Sequence, residues 1–441
     1  MRKLSLLVFI SILLVPVARP LVAPGQATTT ATEPIKNPDP KVRAKAAREL
    51  GRSGDAASIP LLKGALSDPD VKVRREAVLA LAAIHKSGSL EPLAGASRDA
   101  DADIQTLAIQ CMVGYYTGQT PEAGFTGFMK KNVARAKGLF VEDDSRVDPG
   151  IAIDPVVLAA LENDLSSAQS TQVQRESARA LGTLMARQAL PSLIKAAHSS
   201  NDDLARQALN SLEKIMDTSA GPPLLDLLDS GSKDVKKDAA VTVGILHAQE
   251  AIPKLQLMFE NNPDKKTKEK ALQGLAYLGS PVSLPLFNRE LWSSNKLFRT
   301  TAAEGMGRAG DKKSIPELQK AVNSEKDGDA RLAMEFALAA LGEDDYVNTI
   351  IQETDTKVHG DAAQTYLVEL ARNPAFLPKL YPYLGNQNAT IQRKLAIVLM
   401  YSGDNTSIPP LETLSHDSNT DVASAAIRAL RAVRVRAAEK K

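Results

Sequence analysis

Along most of the chain a helix-facing anchor position, usually apolar, returns every 31 to 33 residues: Val42, Val73, Ile104, Val173, Leu204, Val235, Thr267, Phe298, Ala330, Val358, Ile391 and Val422. Four residues on lies a small side chain at Ala46, Ala77, Ala108, Ala208, Ala239, Ala271 and Ala302. Eight residues on lies Leu50, Leu81, Met112, Leu181, Leu212, Val243, Leu275 or Met306. Steps of four and eight turn only about 40° and 80° around a helix, so these positions form one stripe. The pattern predicts one amphipathic helix per period, with a small mid-stripe residue that admits a neighbouring helix closely.

Three residues before each anchor stands a residue of the helix-capping type: Asp39, Asp70, Asp101, Ser170, Asn201, Ser232, Asp264, Asn295, Asp327, Asp355, Asn388 and Asn419. A side-chain oxygen there accepts from a free first-turn N–H, worth about 0.5–2 kcal/mol per cap. A second helix in each period is marked by Pro60, Pro92, Pro191, Pro222, Pro253, Pro285, Pro316, Pro378 and Pro409. Proline suits a first helical turn, where its missing N–H is not needed. Val347 stands where another proline is expected, so that unit is irregular.

The fold expected is all-α, an α-solenoid of about twelve helix pairs. A chain of 441 residues would otherwise split into two or three cores, but stacked repeats touch only their neighbours and carry no such limit. Aromatic residues at 4% fit helix pairs with small contact residues better than sheets. The order of proline helix, a turn such as Asp68-Pro69-Asp70, and a helix opening Val73-Arg74 and carrying Ala77 resembles the bacterial HEAT-like repeats first described around bilin lyases. The resemblance covers residues 39–441 apart from one insertion. It implies that the Val-Arg helices line the concave face, and it is poor for function because the repeat serves many purposes.

One interval is 69 residues long, which leaves an insertion at about 118–154. Within it Phe125, Phe128, Met129, Val133, Ala136, Leu139 and Phe140 fall in an arc of roughly 140° at helical spacing. Lys130, Lys131, Arg135 and Lys137 take the other side. This is a basic amphipathic helix, of the type that covers a gap between repeats, docks in a partner's groove or lies on an anionic membrane. The acids that follow do not match the spacing of a calcium-binding loop.

The N-terminus reads as a signal peptide over residues 1–27, with Arg2 and Lys3, an apolar run Leu4 to Val15, and small residues before a cut after Ala27. Residues 28–38 are then a flexible linker and 39–441 the solenoid, in the periplasm or outside the cell. Losing Arg2, Lys3 and Arg19 leaves 51 basic against 52 acidic residues. A near-neutral chain exerts no global pull on nucleic acid. The single cysteine, Cys111, excludes an internal disulfide and falls in an apolar helical pattern, so it is expected to be buried and inert.

Signals for catalysis are weak. Gly305-Met306-Gly307-Arg308-Ala309-Gly310 matches a dinucleotide fingerprint, yet it stands at the end of a repeat helix with no strand before it, and is expected to terminate that helix. His85, His198, His247, His359 and His416 form no helical metal pair and none precedes Glu, so capping or surface roles are expected. No cofactor, metal or nucleophile motif is expected.

A basic residue follows the anchor at Arg43, Arg74, Lys236, Lys268 and Arg299. The expected role is structural, bonding the capping Asp or a carbonyl of the adjacent repeat. The candidate partner-binding positions are the variable ones beyond it: Lys45, Arg48, Arg75, Arg175, Arg179, Arg206 and Arg393. The arginine-rich tail, from Arg428 to Lys441, is expected to give the terminal helix a polar outer face. The expectation is a non-enzymatic scaffold or adaptor binding a protein partner along these helices. The alternatives are a bilin-lyase-like chromophore or chaperone factor, and a membrane-surface adaptor using the insertion.

Overall fold

In the computed structural model of the chain, which describes residues 34–118, 146–385 and 388–439, helix follows helix and no strand occurs among the described residues. The signal-peptide residues and the amphipathic Phe125 to Phe140 segment, with Phe128, Met129, Lys130, Lys131 and Arg135, lie outside the described residues. Two compact units divide the chain, residues 1–84 and 85–441. The first holds α1 (Pro40–Ser53), α2 (Ile59–Ala65) and α3 (Val71–Ile84). The second continues with α4 (Leu90–Ala96), α5 (Ala102–Thr117), α6 (Pro155–Ser167), α7 (Thr171–Thr183), α8 (Leu190–Ala197) and α9 (Asp202–Ile215). Then come α10 (Lys233–Ile245), α11 (Ile252–Asn261), α12 (Lys265–Leu278), α13 (Leu284–Glu290), α14 (Lys296–Ala309), α15 (Ile315–Ser324) and α16 (Gly328–Leu341). The array ends with α17 (Asp345–Glu353), α18 (Gly360–Leu370), α19 (Ala389–Ser402), α20 (Ile408–Leu414) and α21 (Thr420–Glu439). The expected α-solenoid of helix pairs is what forms.

Ten of the twelve predicted caps accept a hydrogen bond from a first-turn N–H, Asp101, Asp327, Asn388 and Asn419 from two each. Ser170 occupies the cap position without a side-chain bond. Asp355 is not a cap at all. Its helix, α18, begins after His359 and buries Ala363, Tyr366, Leu367 and Leu370, so the stripe lies later than predicted and Val358 is 80% exposed. Gly360 packs against the Thr354 carbonyl, where a Cβ would stand 2.7 Å from the oxygen.

A second hook, absent from the sequence reading, precedes the caps. Two residues earlier a short polar side chain accepts the cap's own N–H: Asn37, Asp68, Asp99, Ser199, Ser230, Asn262, Ser293, Glu325 and Asp417 do so. The residue after the anchor then grips the same turn from the other side. Arg43, Arg74, Gln105, Arg299 and Arg331 each donate to the carbonyl six residues back. Arg43 also forks onto Asp68 at 2.6 and 2.8 Å, and Arg299 onto Glu325 at 2.6 and 3.0 Å. The cation is structural, as expected. Its carboxylate partner, though, is the hook of the following turn rather than the capping Asp.

Consecutive long helices approach backbone to backbone at small residues. A Cβ on Gly51 would lie 2.5 Å from Ala80 Cα, one on Gly182 2.7 Å from Ser211, and one on Gly307 2.7 Å from Ala337 Cα. Gly244 and Gly274 face one another in the same way. Glycines 51, 182 and 307 are therefore contact residues inside their helices. Gly310, at φ 72°, ends α14, which gives the Gly305 to Gly310 string its expected terminating role. His85 and His247, at φ 50° and 54°, occupy the equivalent helix-ending position elsewhere.

The second layer is less regular than the prolines predict. Pro222 opens a 3-10 helix, Pro222–Asp229, and Pro378 sits inside another, Pro374–Lys379, whose first position is Pro374. Before the proline helices comes a buried small residue, serine at 58, 89, 283, 314 and 407 and alanine at 189, 220 and 251. Three of the five hydroxyls find no partner while Ser407 meets the Tyr381 hydroxyl at 3.0 Å, so small size rather than a shared hydrogen bond is common to this position.

Gly274→Ala places its methyl 2.1 Å from the Ala240 carbonyl oxygen, a backbone atom with no room to yield. The expected cost is about 1–3 kcal/mol, whereas Gly95→Ala, with nothing within 4 Å, gains about 0.5–1 kcal/mol. Denaturant unfolding of the two variants measures both. The Arg299 fork holds the Glu325 carboxyl below its ordinary 4.5, against an opposing effect of burial. A depressed carboxylate stabilises above its unfolded value and loses that contribution as pH falls through the folded one. The melting-temperature gap between the wild type and Glu325→Gln is therefore present at pH 7 and closes as pH falls below 4.5.

Candidate functional site

In the second unit the long helices meet at their C-terminal ends. Met216 ends α9, His247 follows α10, Arg308 lies in the last turn of α14 and Arg372 follows α18. Arg372 Nη2 lies 3.8 Å from Met216 Sδ across 156 residues, and Arg146 Nη1 lies 4.0 Å from the same sulfur. Helix C-termini carry unpaired carbonyls and a negative partial charge, each attracting a cation by about 0.3–1 kcal/mol. Their convergence accounts for the arginines gathered there. Arg436, for example, donates to the Met400 and Gly403 carbonyls that end α19.

The centre of the cluster is Arg308. Its Nε and Nη2 reach the two Glu369 oxygens at 2.8 and 3.0 Å, and its Nη1 reaches Glu304 at 3.3 Å. The Tyr277 ring centroid is 4.6 Å from the guanidinium carbon and that of Phe336 is 5.6 Å away. Tyr366 stacks on Phe336 at 4.4 Å and donates its hydroxyl to Glu304 at 2.5 Å. Glu369 is 61 residues from Arg308, so α14 and α18 touch across the small residues of α16. Burial opposes the charge on Arg308, but Glu304 and Glu369 more than offset it and its pKa rises. Burial, then Glu304, pushes Tyr366 well above 10.0. Burial, then Arg372, pushes His247 down from 6.5, so it is neutral at neutral pH.

Beside Arg308 lies an open recess of about 260 Å³ lined by Phe336, Gly342, Glu369, Asn373, Phe376 and Lys379. The arrangement offers fixed charge, ring faces and hydrogen-bonding groups. The sulfur of Cys111 lies elsewhere, buried, with its thiol pushed up to about 12. Among the described residues no group of His, Cys, Asp and Glu is placed to hold a metal ion.

The predicted binding residues are distributed differently. Lys45 and Arg48 are in the first unit, exposed, beside Glu49 at 3.8 Å and Glu76 at 2.6 Å. Arg75, in the same unit, is half-buried. In the second unit Arg179 is held by Glu176 on its own helix, with both side chains largely buried, and Arg206 is held by Asp238 at 2.6 Å. Arg175 reaches Asp203 only at 3.5 Å and keeps a buried Nε with no acceptor. Arg393 is exposed. Within the second unit, Arg175, Arg179 and Arg206 each face a different carboxylate.

The Arg308 cluster gave no sequence signal beyond the Glu304–Arg308 spacing, because its other members depend on how the repeats wind. Arg308→Met leaves two carboxylates without their cation and is expected to cost about 3 kcal/mol. Adding Glu304→Gln and Glu369→Gln recovers part of that loss in urea unfolding, since no charge is then left unpaired.

The profile of the HEAT repeats matches residues 31–112, 158–244 and 252–339. Among solved structures, an engineered protein is 16% identical with a TM-score of 0.39, covering 92% of this chain and 99% of its own. The Escherichia coli protein YibA is 15% identical with a TM-score of 0.39, covering 63% of this chain and 91% of its own. No curated protein matches the chain. With more than half of its length matched by the profile, the chain belongs to the HEAT-repeat family.

Proposed function

We propose that this HEAT-repeat chain is a non-enzymatic scaffold of the periplasm or extracellular space that binds an extended protein partner along its long helices. The location rests on the Arg2-Lys3 start and the apolar run after it. The observation that carries the binding reading is Arg175. Its side chain is 38% exposed and its nearest carboxylate is 3.5 Å away, while Arg179 and Arg206 are less exposed and already held. An under-satisfied guanidinium on a helix surface gains from a carboxylate or carbonyl supplied from outside. Arg393 stands two residues after its anchor, as Arg175 does, and is exposed. The non-catalytic reading draws support from the Cys111 thiol and the Tyr366 phenol, both pushed above their ordinary values by burial and so protonated at neutral pH.

The test is a crosslinked pull-down from the cell envelope with the full chain and with Arg175→Glu/Arg393→Glu. The expected result is a partner whose crosslinks map to α7 and α19 and whose retention falls at least tenfold in the variant. Equal retention by both proteins overturns the site.

A further inference from the structure

The stretch from Arg146 to Asp154 is not helical: it turns at Asp148 to Ile151, where the Ile151 N–H donates to the Asp148 carbonyl at 3.3 Å, and it is fastened along its length to the second unit. The Val147 N–H donates to the Thr183 carbonyl at 2.8 Å, and the Val147 side chain is buried. Asp148 takes a bidentate fork from Arg428, at 2.7 and 2.5 Å, and a further bond from Arg431 at 3.3 Å. Gly150, at φ 82°, lies so close to Val435 that a Cβ would stand 3.0 Å from that side chain. The Asp154 N–H donates to the Tyr116 hydroxyl at 2.9 Å.

Arg428 and Asp148 are 280 residues apart, so the fork is a ligand-like contact made from outside the turn that Asp148 opens. Among the described residues Asp148 is the one acid paired with Arg428 and Arg431, since Arg434 uses Glu412 and Arg436 uses carbonyls. Both guanidiniums remain half exposed while Asp148 is 13% exposed. A planar fork matches a carboxylate in both geometry and charge. Leaving the site would free two adjacent guanidiniums together with the Thr183 carbonyl.

We propose that Arg428, Arg431 and Val435 form a receptor for an aspartate-bearing turn in a peptide segment of a partner protein, and that residues 146–150 are its intrachain stand-in. One carboxylate satisfies both arginines, so the site suits a single acidic residue at the start of a turn rather than a dense polyanion. The residue before the aspartate is apolar and donates its N–H, and the residue two after it is glycine, because Val435 leaves no space. Binding in trans requires displacement of the stand-in. The inference adds a second site to the scaffold reading and does not use the Arg175 row, so either can fail alone.

Fluorescence anisotropy of a labelled peptide copying residues 146–152 tests it on the full chain. The expected result is weak binding to the wild type and at least fivefold tighter binding to Asp148→Ala. Adding Arg428→Gln/Arg431→Gln removes the gain, whereas adding Arg434→Gln leaves it. The peptide with asparagine for aspartate loses the gain too. Circular dichroism confirms that each variant keeps its helix, and faster hydrogen exchange at the Val147 amide in Asp148→Ala reports release of the stand-in. Peptide binding that Asp148→Ala does not tighten, or that ignores Arg428 and Arg431, overturns the proposal.

Discussion

Everything in the array depends on how closely successive long helices approach, and that distance is set by residues without a large side chain. The contacts share one register: the residue nine after the anchor of one helix meets the residue seven after the anchor of the next, as in Gly51 on Ala80, Gly182 on Ser211, Gly244 on Gly274 and Gly307 on Ala337. All lie in the C-terminal halves of their helices. Interiors pack at near-crystalline density, so a larger residue at these points would displace a whole helix. In the second unit the same register draws the C-terminal ends toward one another, and the contacts of Met216, Arg308 and Asp148 with distant partners follow from it.

Converging C-termini bring like partial charges together, and the arginines at these ends are the electrostatic answer. Each also has a specific job. Arg308 joins two helices that are not neighbours in sequence, Arg436 closes the end of α19, and Arg428 holds a returning strand of chain. A cation that bridges two carboxylates and faces two rings resists replacement by lysine, whose ammonium has neither the fork nor the flat face.

The sequence was most legible where structure is local. Caps three residues before the anchor, prolines in first turns and a glycine ending α14 all act within a few residues, and nearly all of them stand where expected. The polar hook two residues before each cap was equally local and went unread. So did Arg331, which repeats the role of Arg43 although its anchor is an alanine. Asp355 misled because its unit follows another register, with α18 starting after His359 and without a side-chain cap. The functional positions were the least legible. How well Arg175 is paired depends on Asp203 one repeat away, and the pairing of Asp148 with Arg428 depends on the winding of the whole second unit.

The turn apparatus bears on how such a chain can be built and rebuilt. Cap, hook and gripping side chain all act within about six residues of one another, so each boundary carries its own instructions. Copying or excising one whole period of about 31 residues rejoins an intact hook to an intact cap, while any other length splits them. Growth by duplication is therefore the route this architecture leaves open, and the unit around Asp355, whose helix starts at Gly360 with no side-chain cap, is one whose boundary lacks those instructions.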